Sequence, residues 1–488
     1  MCRLIKYILL FSCLLWSSTL FSQDLLTLSK ALEIAALNSP DLKQYALSLE
    51  RSQESLKSQE AALKSDFDLS LTPLSYSNQL KYDDTPNGDG WYNVQQSTSS
   101  GKLSISQPIL LTDATVGLSN YFSWQDANGN QSFYNNLTLS IDQPLFSHNE
   151  QKMSLKEVEL DVENAELDYA LQKLSMELSI TSQFYSVYQK QMQLLIYQDQ
   201  LSNQQKNHTI VEQKVKAGLM ELQELYQSEV NVISSETTLE SYQVSFQDAK
   251  DEFCLLLGTG FDYDFIAVLN VQTDSVVIDQ AAAIERSIQV AIELRQREID
   301  LEIAELSLLQ TMDNNSFSAN LSLQMGLSGQ NEYLQDIYSK ATNNKGVSIS
   351  LEVPIWDWGK RKANIRYSEI GLEKQELYLL EDRNDIELTI RQLHRSLVSL
   401  YHQIEKAEKN VRNAQLTYDT NLERFRKGKI SGMELQLYQT QLSSKKMTQT
   451  SAIINYKIEL LNMKIQTLYD WEKDEEFLPD DLFTYKKK

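Results

Sequence analysis

An α+β membrane fold is predicted for this chain: long α-helical coiled-coil hairpins joined to the strands of a transmembrane β-barrel. The first supporting observation is a duplication. Pro144 and Gly218 lie 74 positions apart, and Pro354 and Gly428 repeat that pair 210 residues later. Flanking residues keep the offset, with Gln143-Pro144-Leu145-Phe146 answering to Val353-Pro354-Ile355-Trp356 and Ser147 to Asp357. The second is a scarcity of helix breakers. Gly218 is the only glycine between Phe146 and Leu257, a stretch without proline, and Lys360 to Leu478 holds only Gly371, Gly428 and Gly432. Segments so free of breakers permit very long helices. The third is strict alternation of apolar and small polar residues in the stretches that precede each long segment, the pattern of a barrel with a wet interior.

Residues 1–22 read as a secretory signal peptide. Arg3 and Lys6 precede an apolar run from Tyr7 to Trp16, then small polar residues, with cleavage expected near Ser22 or Gln23. Cys13 loosely fits a lipidation box, but apolar residues continue past it, which argues against lipid attachment. Cleavage removes Cys2 and Cys13 and leaves Cys254 alone, so no internal disulfide is expected. It also moves the formal charge from −22 to −24, which leaves no basic field for nucleic acid. No later apolar run reaches the ~18 residues of a spanning helix.

Residues 24–65 and 276–315 are expected to be helical, with 28–64 matching 278–314 at an offset of 250. Strands follow at 66–143 and 316–354. Val347, Ile349, Leu351 and Val353 oppose Ser348, Ser350 and Glu352, while Leu137, Leu139 and Ile141 oppose Thr138, Ser140 and Asp142. The change of offset from 250 to 210 leaves 40 extra residues in the first strand region. Two further alternating runs, around Leu103 to Ser106 and Val116 to Phe122, are joined by the short turn 111–114, with polar loops expected at 76–100 and 125–131. That arrangement reads as an inserted hairpin.

Long helical hairpins are predicted over 147–257 and 357–471. Ser147 with Glu150 fits a capping box and Asp357 an N-cap. From there each helix runs roughly 67 residues, a rod of roughly 100 Å. A heptad seam passes through Leu167, Leu171, Leu174, Leu178, Thr181, Tyr185, Tyr188, Met192 and Leu195. A cleaner one passes through Ile386, Ile390, Leu393, Leu397, Leu400, Ile404, Ala407, Val411, Ala414 and Tyr418. Apolar Leu155, Val158 and Val162 lie off the first seam and call for neighbours on two sides, as in a closed ring of helices. Residues 472–488, acidic and then basic, read as a solvated tail.

These residues together resemble the TolC family of outer membrane efflux proteins, over roughly 24–471. Ala31-Leu32 through Asn38-Ser39-Pro40-Asp41-Leu42 is similar to the family's N-terminal helix. Gln143-Pro144-Leu145-Phe146 is similar to its strand-to-helix junction, and Lys216-Ala217-Gly218-Leu219 with Leu225 to its first periplasmic turn. The resemblance implies a homotrimer in the cell outer membrane of a Gram-negative bacterium. Its protomers would share one β-barrel, and their helices would form a tunnel across the periplasm. The family's usual protomer gives four strands; the insertion would make six. The implied function is the passive exit duct of a tripartite efflux pump or type I secretion system. Its partners would be a periplasmic adaptor (membrane fusion protein), an inner-membrane transporter and outer membrane lipid. The alternative is a periplasmic adaptor or coiled-coil interaction protein, which carries one hairpin between soluble β domains.

The resemblance places adaptor docking at the helix tips, where Lys216, Gly218, Leu219, Arg424, Arg426, Gly428 and Ile430 cluster. Cations there also complement helix C-termini, and glycine supplies the left-handed cap. Glu221, Glu224 and Glu434, just past the turns, are candidate tunnel-entrance charges, or else a solvated helix face. Pro144, Ser147, Pro354 and Asp357 mark the strand-to-helix junctions. Phe146, Trp356 and Trp358 at the junctions, with Tyr121 and Trp124 near the opposite rim, are candidate membrane-interface aromatics. His148, His208, His394 and His402 show no paired metal spacing, and no phosphate-binding loop occurs. Neither enzyme activity nor a metal or other cofactor is expected.

Overall fold

The computed structural model describes residues 24–83, 90–269 and 276–477. The expected signal peptide, and the tail from 478 onward, lie outside these residues. Helix lengths carry the duplication. Helices α1 (Leu28–Asn38) and α5 (Gln280–Val290) have 11 residues each, and α2 (Pro40–Ala62) and α6 (Ile292–Asn314) have 23. Helices α3 (Glu150–Lys216) and α7 (Lys360–Arg426) have 67, and α4 (Leu222–Leu257) and α8 (Gly432–Thr467) have 36. The last two pairs keep the 210-residue offset; the first two are displaced by 252 rather than 250. The N-caps set that spacing. Thr27 Oγ1 accepts from the Lys30 N–H and the Asp279 carboxylate from the Ala281 N–H, and 27 and 279 differ by 252.

The stretches expected to be helical, 28–64 and 278–314, each break into two helices. Ser39 is held at ψ 121° before Pro40, whose ring excludes a helical preceding residue. Ala291 takes nearly the same conformation without a proline, at ψ 116°.

Contacts divide the chain into two units. The first holds the described parts of 1–46, 169–291 and 384–488. In it β1 (Asp24–Leu26) pairs in parallel with β6 (Phe265–Ala267). One core gathers Leu26, Ile180, Phe184, Val187, Phe253, Leu257 and Phe265. A second gathers Ile390, Leu393, Leu397, Ile404, Tyr456, Leu460 and Met463. Burial repeats with the sequence: Ala31 and Ala283, Ile180 and Ile390, Phe253 and Met463, Leu257 and Thr467 are equivalent pairs, all 0 % exposed. The seam of α7 is the one read from the heptad, extended to Asn421 and Phe425. On α3 the deepest positions are instead Ile180, Phe184 and Val187. There β1, β6 and α1 pack from a second side and shift the buried stripe off Leu178 and Leu195. Cys254 is buried in this core, and burial pushes its thiol pKa up, which keeps it unreactive.

The segment just past α8 is folded, not a solvated tail as far as Phe477. Strands β9 (Tyr469–Asp470) and β10 (Glu475–Glu476) pair, Trp471 packs on the second core, and the Lys464 ammonium sits 3.9 Å from the Phe477 ring centre. Ion pairs Lys457–Glu472 at 2.6 Å and Lys464–Asp470 at 2.9 Å fix the turn to α8, while Glu476 pairs with Arg286 at 3.2 Å.

The second unit, 47–168 and 292–383, contains one antiparallel sheet. Its strands are β2 (Asp66–Asp83), β3 (Gly90–Ile109), β4 (Ala114–Ala127), β5 (Asn130–Leu145), β7 (Ser318–Asn331) and β8 (Thr342–Glu352), in spatial order β2-β3-β4-β5-β7-β8. Of the stretch 76–100, expected as a polar loop, residues 76–83 and 90–100 are strand, and 84–89 lie outside the described residues. The stretch 125–131 is strand except for the two-residue turn Asn128-Gly129, both at positive φ (52° and 85°). In this unit the short helices lie along the long ones. Gln59 bonds Ser154 at 3.0 Å, Arg295 grips Glu163 through two bonds of 2.7 and 3.1 Å, and Arg297 bonds Asp382 at 2.7 Å. The bond to Glu163 foremost, with Glu298 and Glu302 nearby, raises the Arg295 pKa.

Candidate functional site

Register decides what each face of the sheet presents. One cross-strand row reads Phe67, Ile105, Leu118, Leu139, Met325 and Lys345. The rows beside it on the same face bring Leu69, Leu103, Leu137 and Leu327, then Val116, Ile141, Leu323 and Val347. The opposite face carries Asp68, Ser104, Ser119, Thr138, Gly326 and Asn344 at matching heights. A sheet with one apolar and one small-polar face can stand between hydrocarbon and water. No described helix is long and apolar enough to cross a membrane. Trp124 lies on the apolar face opposite Phe133, with Phe122 nearby. Tyr121, expected beside it in an interfacial girdle, stands on the polar face against Tyr134, because residues an odd number apart on a strand point to opposite faces.

Both junctions turn through a residue at positive φ, Phe146 at 65° and Trp358 at 58°. Phe146 packs its ring 5.8 Å from that of Phe317, and Trp356 meets Trp358 edge-on at 5.5 Å, all four largely exposed. Beyond Pro144, the cap of α3 differs from the box expected at Ser147. Asn149 Oδ1 accepts from the Lys152 N–H at 2.8 Å, and the Asp113 carboxylate accepts from the Glu150 and Gln151 N–H groups at 3.2 Å. The Phe146 turn delays the helix by two residues beyond Ser147, and Asp113 arrives from the β3–β4 turn, 37 positions away in sequence.

At the second junction Asp357 performs the expected capping. Its carboxylate accepts from the Gly359 N–H at 3.1 Å, and from the Arg361 N–H and guanidinium at 2.8 Å, while Arg361 also donates to the Pro354 carbonyl at 3.0 Å. These bonds, the Arg361 backbone bond foremost, hold the Asp357 pKa down to about 2, below its ordinary 3.8. The stabilisation is therefore complete above pH ~4 and lost as pH falls through about 2. Acid titration of Trp356 and Trp358 fluorescence is expected to show a transition near pH 2 that Asp357→Asn abolishes; an unchanged transition in the variant would assign it elsewhere.

At the tips the two turns are built alike. Gly218 (φ 70°) donates to the Val215 carbonyl and Leu219 N–H to that of Lys214; Gly428 (φ 71°) and Lys429 do the same to Phe425 and Arg424. Both are Schellman caps, which need glycine at the left-handed position. The return helices differ. Ser431 and Glu434 form a capping box at 2.9 and 3.2 Å, whereas Glu221, at the same position before α4, makes no side-chain cap. Glu434, a candidate entrance charge, is thus occupied in holding α8, while Glu224 lies near the second tip, 3.5 Å from a Cβ added to Gly432. A third core binds the tips together through Val211, Tyr418, Phe425, Leu435 and Leu442, with Ile430 against it. Lys214 crosses between hairpins to donate to the Phe425 carbonyl at 2.6 Å, and its burial lowers its pKa. The sequence offered no signal for that bond. Of the expected docking residues, Arg426 pairs with Glu423 at 2.8 Å, Lys216 with Glu212 at 2.7 Å, and Leu219 stands exposed.

Among the described residues no group of three or more His, Cys, Asp or Glu is placed to hold a metal ion. His394 Nε2 donates to the Ile278 carbonyl at 3.2 Å and His402 pairs with Glu405 at 3.5 Å, separate settings for the two.

Comparison with known proteins agrees with this architecture. The family model described as outer membrane efflux protein matches residues 289–464. That match spans 176 of the 488 residues, within the second repeat. The chain is similar to a probable outer membrane lipoprotein, SilC of Salmonella typhimurium, with 20% identity over 266 residues. That match covers 53% of this chain and 55% of the relative, so the chain spans about half the length of the curated relative it matches. Two solved structures share the fold across nearly the whole length. The CmeC outer membrane channel of Campylobacter jejuni has a TM-score of 0.68 at 12% identity, covering 93% of this chain and 87% of that one. The open-state MtrE outer membrane channel of Neisseria gonorrhoeae has 0.66 at 12%, covering 93% and 91%.

Proposed function

We propose that this chain is one protomer of a homotrimeric channel-tunnel, the passive exit duct of a tripartite efflux pump or type I secretion system. The observation that carries this reading is the two-faced sheet on a chain that also repeats its 67- and 36-residue helices. The apolar face meets outer membrane lipid and the polar face lines a water-filled passage. An inner-membrane transporter supplies the energy. An adaptor of the periplasmic membrane fusion type docks at the tips, on Lys216, Gly218, Leu219, Arg424, Arg426, Gly428 and Ile430. Glu221 and Glu224 supply charge at the tunnel entrance. A periplasmic adaptor itself would carry one hairpin between soluble β domains; here the hairpin occurs twice in a chain whose one large sheet has six strands.

Purified mature protein is expected to form detergent-stable trimers that conduct ions across planar bilayers. A polypeptide that stays monomeric and water-soluble without detergent, and electrically silent, overturns the reading. The docking role has its own test. Arg424→Glu with Arg426→Glu removes one long, part-buried bond to Asn421 at 3.4 Å and one surface ion pair to Glu423 at 2.8 Å, so trimer yield should hold. Adaptor affinity is expected to fall about tenfold or more. Unchanged affinity moves docking away from these cations.

A further inference from the structure

The six-stranded sheet ends on two edges that the chain itself leaves open, β2 and β8. All eleven residues of β8 are exposed, and so are Phe67, Leu69, Leu71, Leu74, Leu80 and Tyr82 along β2. Unpaired backbone N–H and C=O groups along an apolar-faced edge are not tolerated in hydrocarbon. Every neighbouring pair is antiparallel and the strand number is even, so β2 and β8 run in opposite directions. The β2 of one copy can therefore continue the antiparallel ladder of the next copy's β8. Faces match as well: Phe67, Leu69 and Leu71 share the apolar face with Val347, Ile349 and Leu351. Such a head-to-tail contact repeats into a ring.

We propose that three copies close into a single barrel of eighteen strands, β2 of each against β8 of the next, and that β3 and β4 are permanent staves that widen its pore. The proposal rests on the trimeric channel reading above. The second repeat has only β7 and β8 between its helices, so duplication alone would give four strands per copy and twelve in the ring. Barrel diameter grows roughly linearly with strand number, so the additional pair widens the barrel about 1.5-fold, into the size range that keeps an aqueous channel.

The inserted pair is integral to the wall. Its ladder runs unbroken from Gln96–Ala127 to Ile109–Ala114, and on to β5 from Thr115–Asp142 to Ala127–Asn130. Its lower turn is fastened to the junction below it. Besides the Asp113 cap on α3, Asn149 Nδ2 donates to the Leu110 carbonyl at 2.7 Å and Gln143 Nε2 to that of Thr112 at 2.6 Å. It also divides by face like its neighbours, with Ile105, Leu118 and Phe122 on the apolar side and Ser104, Ser119 and Ser123 on the polar side.

The test uses full-length mature trimers. Ser70→Cys on β2 is combined in turn with Gly346→Cys, Ser348→Cys or Ser350→Cys on β8, all on the polar face; Cys254 is buried and does not compete. Oxidation is expected to give covalent trimers with at least one partner position and none with single-cysteine chains. Conducting trimers that cross-link at none of the three overturn the closure while leaving the channel function standing; wild-type protein that neither trimerises nor conducts sinks the channel reading itself. Deleting residues 90–127 removes β3 and β4. The radius of the largest neutral polymer admitted from the barrel side is then expected to fall about 1.5-fold. An unchanged cut-off overturns the widening; if the deletion fails to assemble, the wild-type cut-off decides, and one that fits a twelve-stranded ring overturns the widening.

Discussion

Phe425→Ala is expected to loosen both hairpin tips together. The Phe425 ring is 0 % exposed and lies between Val211, Tyr418, Leu435 and Leu442, with the Lys214 ammonium 4.9 Å from its centre. Truncating a buried phenylalanine costs about 3–5 kcal/mol, part for lost transfer and part for the cavity. The loss falls on local opening, since the cores around Phe253 and Ile390 do not include this ring. Amide exchange around 210–220 and 422–435 should accelerate by roughly 10²-fold or more, given ~1.4 kcal/mol per decade. Exchange in the sheet should not change. Unaltered exchange at the tips would mean that the third core does not hold the hairpins together. If the tips gate the tunnel, the same variant should conduct more as well.

Leu139→Arg and Thr138→Arg are adjacent changes with opposite expected outcomes. Leu139 stands between Leu118 and Met325 on the apolar face; Thr138 stands between Ser119 and Gly326 on the polar one. An arginine facing lipid near the bilayer midplane costs about 2–4 kcal/mol, whereas one facing the lumen acts mainly on selectivity. The denaturant midpoint of the detergent-solubilised or bilayer-inserted trimer should drop for Leu139→Arg and stay near wild type for Thr138→Arg. Equal losses would show that the apolar face does not meet hydrocarbon, and would remove the physical basis of the barrel.

The long helices were legible because their signals are local. Gly218 and Gly428 each stop a helix through bonds no further than five residues back, so the 210-residue repeat could be read from punctuation alone. The seam of α7 was equally legible, one stripe facing one neighbour. On α3 the same rule misplaced the deepest positions, since a helix packed from two sides buries residues outside any single stripe. Strand ends were harder. Residues 76–83 and 90–100 are rich in Ser, Gln and Asn, the composition of loops, yet they pair in register from Tyr76–Ser97 to Asp83–Gly90. A wall with water on one side accepts such residues in strands, so composition alone misleads there.

The sequence by itself determined what periodicity and chain-local capping can encode: two copies of a long helical hairpin, strands with one apolar face, and left-handed turns at the two glycines. Only the tertiary structure decided the six-strand order, the two open edges, the placement of Tyr121, the Asp113 cap on α3 and the Lys214 bond between hairpins. The side-chain contacts among these join groups brought together by folding, from 13 positions apart for Tyr121 and Tyr134 to 211 for Lys214 and Phe425. A local pattern limits which partners such groups can take, but the choice among them is made by the packing of the whole sheet or bundle.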